Sequence, residues 1–284
     1  MPLLLAVAGC LIVVVGLMAI GADGYYDERS EKKVGTVNKF CELNRPGLIR
    51  EPANAFSSLV ICLPAFAILR RWSDMPADGW LGAHDLAPDR PPSSDPFSRR
   101  SPELVAFCIA ALLVGLSSFA AHGTKMRIAG TMDSSTMVLW ILVPMLWSAR
   151  RLAGFSRPVW LSFWLLGSLG IAWYMWATKG VGVTDAYFAL IPVWLVLELF
   201  AWWRIGRPSR WVVTGVGLFG LAYGAWLLGL EDSSTCVPGS LLQWHALWHI
   251  LCAAAIYAIW RHLVASPLRF VSDAGEADAS SPAG

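Results

Sequence analysis

Two histidines lie four residues apart in the last long apolar stretch of the chain. They are His245 and His249, within the run from Gln243 to His249. On a helix, residues at this spacing lie one turn apart on the same face, so both imidazoles can bind one metal ion. A haem with two axial histidines usually takes them from different helices, which disfavours haem here. The alternative is that both imidazoles hydrogen-bond to neighbouring helices.

A second cluster contains Ser118, His122 and Asp133. Ser118 and His122 are also four apart, and His122 offers a third imidazole. Three histidines leave one position of a tetrahedral zinc open for water, which is the pattern of a catalytic site. Each residue has a simpler interpretation. Asp133 could cap the next helix beside Ser134 and Ser135, Ser118 could serve helix packing, and His122 could be a hydrogen-bonded interior histidine.

A third cluster is rich in side-chain oxygens and precedes the second apolar stretch. It contains Glu42, Asn44 and Glu51. Oxygen ligands crowded at a membrane edge suit a hard cation such as calcium. The alternative is that Glu51, together with Asn54, caps or locks the start of the following helix.

The composition indicates the class of protein that must position these clusters. Apolar residues make up 56% of the chain, charged residues make up 15%, and the formal net charge is +2. Such a chain is a membrane protein, and its near-neutral charge gives no indication of a nucleic-acid partner. It carries no zinc-finger, P-loop or dinucleotide-binding motif. We therefore predict an all-α, polytopic membrane helix bundle.

Eight apolar runs have lengths near that needed to cross a bilayer as a helix. The predicted spans are 3–22, 53–70, 103–121, 134–149, 158–176, 184–203, 211–229 and 241–260. The first run could be a signal peptide, but its length and its lack of an early positive charge favour an anchor helix. We predict an anchor at 1–22, a bundle at 23–264 with a mobile loop at about 73–101, and a disordered tail at 265–284.

The distribution of basic residues predicts the orientation of the bundle. The loops after the second, fourth and sixth spans and the C-terminal end contain most of the arginines in loops. They are Arg70, Arg71, Arg90, Arg99, Arg100, Arg150, Arg151, Arg157, Arg204, Arg207, Arg210, Arg261 and Arg269. The C-terminus is therefore predicted to be cytoplasmic, and all three clusters then lie near the non-cytoplasmic face. Scattered structural polar residues would have no reason to share one side, so this convergence indicates a site.

These motifs as a set resemble the alkaline ceramidases, within the larger group of seven-span membrane hydrolases that includes the adiponectin and progestin receptors. The motifs are Cys41-Glu42 with Glu51-Pro, Asn54 and Ser57; Gly115, Ser118 and His122 with Asp133; and His245-Ala-Leu-Trp-His249. The resemblance covers the chain from about Cys41 to Trp260. It implies a seven-span ceramidase-like core, to which this chain adds one N-terminal span.

The resemblance also implies metal sites. It implies a zinc ion held by His122, His245 and His249, with Ser118 and Asp133 beside it. The family also carries a calcium site, and Glu42, Asn44, Glu51 and the carbonyl of Phe40 would map onto its ligands. This sequence departs from the family there, because Lys39 replaces an aspartate and the spacing from Asn44 to Glu51 is shorter.

The implied activity is hydrolysis of an amide in a membrane lipid. Zinc would activate water and polarise the carbonyl, Asp133 would transfer the proton, and Ser118 would hydrogen-bond the developing oxyanion. The expected substrate is ceramide or a similar N-acyl lipid, which is cleaved into a long-chain amine and a fatty acid. Two alternatives stay open: a related lipid esterase or phospholipase, and a receptor-like membrane protein with structural zinc.

Two of the six cysteines, Cys41 and Cys236, lie in loops that the basic residues place on the non-cytoplasmic side. That compartment is oxidising in a bacterial periplasm or an organelle lumen, so a disulfide could persist there. The family resemblance implies such a bond, since alkaline ceramidases pair the cysteine of the first motif with one in a later loop. The alternative is two unrelated loop thiols.

Overall fold

The computed structural model describes residues 1–22, 24–29, 40–77, 96–178, 183–206 and 209–266. Within these ranges the protein is built from α-helices and short 3₁₀ turns, and its only β-pairing consists of isolated bridges. The helices are α1 (Pro2–Gly21), α2 (Tyr25–Arg29), α3 (Pro52–Ser58), α4 (Leu63–Arg70), α5 (Pro102–Thr124), α6 (Arg127–Ala153), α7 (Arg157–Ala177), α8 (Val183–Ile205), α9 (Arg210–Leu228) and α10 (Trp244–Val264). The predicted all-α class is confirmed.

Eight segments in the described part of the chain are long and apolar enough to cross a membrane. They correspond to the eight predicted apolar runs, and the second is assembled from α3, a 3₁₀ turn and α4, over Pro52–Asp74. Proline occupies an early position in several of these helices, such as Pro102 of α5. That position suits proline because the first turn of a helix needs no N–H donor. Ser101 caps α5 by accepting a hydrogen bond from the backbone N–H of Leu104 at 3.1 Å.

The fourth span differs from its prediction. Helix α6 begins at Arg127 rather than near residue 134, and its N-cap is Met126. Asp133 therefore lies inside the helix, and the alternative interpretation that it caps the helix is wrong. The segment 127–133 mixes charged and apolar residues and has no continuous apolar run, yet Ala129 and Gly130 are buried against the bundle. Tertiary packing thus decides the helix start there.

The second span bends in its middle. A 3₁₀ turn at Leu59–Cys62 separates α3 from α4, and Pro64 follows in the first turn of α4. Proline removes a backbone donor, so the helix cannot pass through this point undisturbed. Helix α5 packs closely here: a Cβ added to Gly115 would lie 2.5 Å from Sγ of Cys62. This close approach brings the end of α3 beside the middle of α5.

Buried ion pairs join the helix ends farthest from the histidines. Glu198 of α8 accepts hydrogen bonds from Arg151 Nη1 at 3.0 Å and from Ser148 Oγ at 2.6 Å, both on α6. His262 of α10 lies 3.1 Å from the same carboxylate. Burial makes each of these charges dependent on its partner, so this cluster holds α6, α8 and α10 together at that end.

The N-terminal helix lies on the outside of the bundle. Helix α1 packs along α4 and α5, and its Leu17 and Met18 contact a small core that contains Ile49 and Phe119.

In the predicted loop at 73–101, a single bridge pairs Ala77 with Arg100. Residues 78–95 lie outside the described ranges, as do residues 267–284 of the predicted tail.

Candidate metal centre

Three imidazoles meet in the interior of the bundle. His122 lies in the last two turns of α5, and His245 and His249 lie in the first two turns of α10. All three are buried, and one ligand atom from each lies within 4.8 Å of the others. Nε2 of His122 is 3.1 Å from Nε2 of His245. Two nitrogens bound to one tetrahedral zinc would be about 3.3 Å apart, so this spacing suits a shared ion.

Two of the histidines are oriented by hydrogen bonds on the side away from the cluster. Nδ1 of His122 lies 2.7 Å from Oε2 of Glu51, and Nδ1 of His249 lies 2.9 Å from Oγ of Ser57. A carboxylate can only accept from the imidazole, so Nδ1 of His122 carries the proton. Its Nε2 lone pair is then directed at the cluster. Metal-binding histidines are commonly held in this way, with the second nitrogen donating to a carboxylate or another acceptor.

His245 has a different environment. Its ring stacks on Phe40, with ring centroids 3.6 Å apart. Its buried Nδ1 has no hydrogen-bond partner among the described residues. A histidine with a purely structural role would normally have both nitrogens paired with oxygen. Here Nε2 faces a second imidazole nitrogen instead, so the donor set fits a metal ion that prefers nitrogen, such as zinc.

Ser118 and Asp133 lie beside the histidines. Oγ of Ser118 is 3.3 Å from Nε2 of His249, and it accepts a hydrogen bond from the Ser58 hydroxyl at 3.2 Å. Asp133 of α6 lies next to Ser118, and both side chains line the same cavity as the three histidines. The structure therefore brings together all five residues that the sequence predicted for the zinc site.

The cavity that leads from these residues is mostly apolar. Helices α5, α6, α8, α9 and α10 line it, with side chains that include Met137, Ile141, Phe188, Leu195 and Phe219. The polar groups lie at one end, where the histidines, Ser118 and Asp133 are found. A cavity with one polar end and apolar walls can hold a molecule that has a polar group and a hydrocarbon chain.

The residues predicted for calcium have other partners. Both oxygens of Glu42 accept hydrogen bonds at the start of α3, from the backbone N–H groups of Ala53 and Asn54 at 2.8 Å. Burial raises the pKa of the Glu42 carboxyl, although these two hydrogen bonds act in the opposite direction. Asn44 is exposed, and the ring of Phe40 lies on His245.

Glu51 is also fully engaged. Its Oε1 lies 2.8 Å from Nζ of Lys125, and its Oε2 binds His122. Burial alone would raise the pKa of Glu51, but the His122 hydrogen bond and the Lys125 charge hold it below its ordinary value. Among the described residues, the three histidines are the one group of His, Cys, Asp or Glu able to hold a metal. The structure gives no support to calcium at Glu42, Asn44, Glu51 or Phe40, and Lys39 lies outside the described residues.

A disulfide closes the side of the site near Phe40. Cys41 and Cys236 are bonded, with Cα atoms 5.4 Å apart, as the family resemblance implied. The backbone N–H of Cys41 also donates to the carbonyl of Gly229 at 2.8 Å. These links hold the segment that carries Phe40 against the loop that precedes α10.

Three residues that support the site were not among the predicted site residues. Ser57 was named only within a motif, and Ser58 and Lys125 were given no role. The spacing contained a signal for Ser57 and Ser58, because they follow Glu51 within two helical turns and so lie at the same membrane edge. For Lys125 the signal is its position three residues after His122.

Fold and site together define a multi-pass, all-α membrane protein with a buried centre of three histidines. The Ceramidase family model matches residues 36–271, and the chain belongs to this family. Helix α1 lies outside the matched region. The chain is also similar to proteins named Monocyte to macrophage differentiation factor from Rattus norvegicus, Mus musculus and Homo sapiens, at 32% identity over 126 residues. The match covers 41% of this chain, and the chain spans about half, 52%, of the length of these relatives.

Proposed function

We propose that this protein is a zinc-dependent hydrolase within the membrane, which cleaves the amide bond of ceramide or of a similar N-acyl lipid. The observation that carries the proposal is the buried group of His122, His245 and His249 at the polar end of an apolar cavity. Membership of the Ceramidase family supports a hydrolase of amides.

His122, His245 and His249 would hold the zinc, which supplies Lewis-acid chemistry by acidifying water and polarising a carbonyl group. Asp133 and Ser118 would then act directly in the reaction. The Asp133 carboxylate would accept a proton from the attacking water and return it to the leaving nitrogen, so that an amine and a fatty acid are released. The Ser118 hydroxyl would donate a hydrogen bond to the carbonyl oxygen as negative charge develops there.

The cavity supports a lipid as the substrate. Its apolar walls, with Met137 and Phe219 among them, can hold a hydrocarbon chain while the amide lies at the polar end. The helices around it expose apolar side chains on the outer surface of the bundle, such as Leu166, Trp203 and Leu221. The enzyme and its substrate would therefore occupy the same membrane.

We further propose that the site faces the non-cytoplasmic side of the cell membrane and that the C-terminus is cytoplasmic. The arginines near the ends of α4, α6, α8 and α10 support this orientation, since basic residues accumulate on the cytoplasmic side. The Cys41–Cys236 bond supports it independently, because disulfides persist in oxidising compartments.

A second candidate comes from the relatives. Their name describes a role in the differentiation of cells, not a reaction. On this reading the protein is receptor-like, and the three histidines hold a metal that organises α5 and α10. A related esterase or phospholipase would use the same residues on an ester bond.

The test is incubation of the purified full chain with a panel of N-acyl and O-acyl lipids, followed by mass spectrometry of the products. The proposal expects release of fatty acid and long-chain amine from the N-acyl lipids. Release from the O-acyl lipids alone would identify an esterase. No release from any lipid by protein that contains zinc would favour the receptor-like candidate.

A further inference from the structure

Lys125 occupies an unusual position directly after α5. Its φ is 54°, in the left-handed region, and it is the only residue other than glycine with a positive φ in the described ranges. Glycine is the common residue at such a helix end, and the backbone of any other L-residue is strained there. The side chain is also buried, and removing an ammonium group from water is costly unless it is paired. Two costs at one residue indicate that its charge has a role.

That charge is directed at the partner of a metal-binding histidine. Nζ of Lys125 lies 2.8 Å from Oε1 of Glu51, while Oε2 of Glu51 lies 2.7 Å from Nδ1 of His122. The side chains of Lys125 and Glu51 are 4% and 3% exposed. One buried carboxylate therefore bridges an ammonium group and an imidazole.

The same carboxylate belongs to the group of residues that the family resemblance assigned to calcium. Calcium takes six to eight oxygen ligands. Here both oxygens of Glu51 and both of Glu42 are committed to hydrogen bonds or an ion pair, and Asn44 is exposed. The residues present do not fit a calcium ion.

We propose that Lys125 supplies, from within the chain, the positive charge that Glu51 requires, so that this protein organises its metal centre without calcium. Lys125 is then a positioning residue, which acts through Glu51 on His122. This inference rests on the metal site of the proposed function.

The physical reason lies in the balance of buried charge. A carboxylate buried without a counter-charge is destabilising, and it would turn to other donors or draw water into the site. Paired with Lys125, Glu51 stays in place to accept the proton of His122 Nδ1. The His122 ring is then fixed with Nε2 toward His245. The loss of such an orienting partner typically lowers metal affinity by about 10–100-fold.

The test measures two metals on the purified full chain. Equilibrium dialysis with radioactive calcium measures calcium binding to the wild-type protein, and competition with a zinc indicator measures zinc affinity. Three variants separate the contributions of Lys125. Lys125→Met keeps the length and removes the charge, Lys125→Arg keeps the charge, and Lys125→Gly removes the side chain but suits the left-handed backbone.

The expected result is no stoichiometric calcium on the wild type at millimolar concentration. Zinc affinity should fall by about 10–100-fold in Lys125→Met and recover in Lys125→Arg. Lys125→Gly should show the same loss, even though its backbone strain is relieved, which distinguishes the ammonium from a structural effect.

Stoichiometric calcium on the wild type would overturn the inference, and so would wild-type zinc affinity in Lys125→Met. The calcium measurement needs no variant, so it decides even if the substitutions prevent folding. A wild-type protein that binds no zinc would count against the proposed metalloenzyme. Stoichiometric calcium on the wild type would count against the role of the Glu51–Lys125 pair, whether or not zinc binds.

Discussion

The Ser57 hydroxyl lies 2.9 Å from Nδ1 of His249, and this contact joins the second membrane span to the last one beside the cluster of three histidines. The same hydroxyl donates to the carbonyl of Asn54 at 3.0 Å. Its proton is thereby used, so Ser57 accepts from the imidazole and Nδ1 of His249 carries the proton. The Nε2 lone pair of His249 is then available to a metal ion.

Replacing Ser57 with alanine should weaken zinc binding. The His249 ring would lose the acceptor that sets its tautomer, and zinc affinity should fall by about 10-fold or more. Competition with a zinc indicator measures this. Ser168→Ala is the matched control, because that hydroxyl donates to the carbonyl of Trp164 within α7, away from the site. Equal affinities in the two variants would show that the Ser57 contact is incidental.

The histidines themselves give the most direct prediction. His245→Ala or His249→Ala should abolish stoichiometric zinc, since two imidazoles rarely retain the metal that three hold. Elemental analysis of the purified proteins measures the zinc content. His262→Ala is the control: this histidine is also buried on α10, but it lies at the far end beside Ser209, Ser266 and Glu198. Zinc that survives in the His245 and His249 variants would contradict the assignment.

The sequence predicted the imidazoles more accurately than the groups that orient them. His245 and His249 were predictable because their spacing on a helix places both on one face. The start of α6 was not, since 127–133 has no continuous apolar run and its helix depends on contacts with the bundle. Lys125 lies three residues after His122, but its partner could not be predicted. Its pairing with Glu51 depends on a left-handed turn and on contacts over 74 sequence positions, from residue 51 to residue 125.

Asp133 is expected to act as the base of the proposed reaction. Asp133→Asn keeps the shape of the side chain and removes its ability to accept a proton, so turnover should fall by about 10²–10⁴-fold. Zinc content should be unchanged, because the proposed zinc ligands are the three histidines and Asp133 is not among them. Asp232→Asn, at an exposed position, is the control for the substitution itself. Near-full activity in Asp133→Asn would exclude the residue from catalysis.

The ion-pair cluster at the far end should contribute stability without affecting the metal. Glu198→Ala would leave Arg151 buried without its carboxylate partner, and removing one partner of a buried pair typically costs about 3–5 kcal/mol. Thermal unfolding in detergent should therefore show a clearly lower Tm, while the zinc content of the folded protein remains that of the wild type. An unchanged Tm would mean that water reaches Arg151 and replaces the lost carboxylate.

The last prediction concerns the bond between Cys41 and Cys236, which links positions 195 residues apart and holds Phe40 over His245. Closing a loop of this length would stabilise the fold by about 5 kcal/mol in the chain-entropy model, which is an upper bound when the unfolded chain stays in the membrane. Cys41→Ser and Cys236→Ser should therefore lower the Tm by similar amounts, and the double variant should lower it no further, since either change removes the whole bond.

Peptide mapping without reductant, on protein taken from its native membrane, should yield a cross-linked Cys41–Cys236 peptide. Cys62 and Cys108, which are buried in the bundle, should remain free thiols in the same map. If Cys41 and Cys236 were also free, the bond and the non-cytoplasmic placement of the site would both be contradicted, because an oxidising compartment would have preserved the bond.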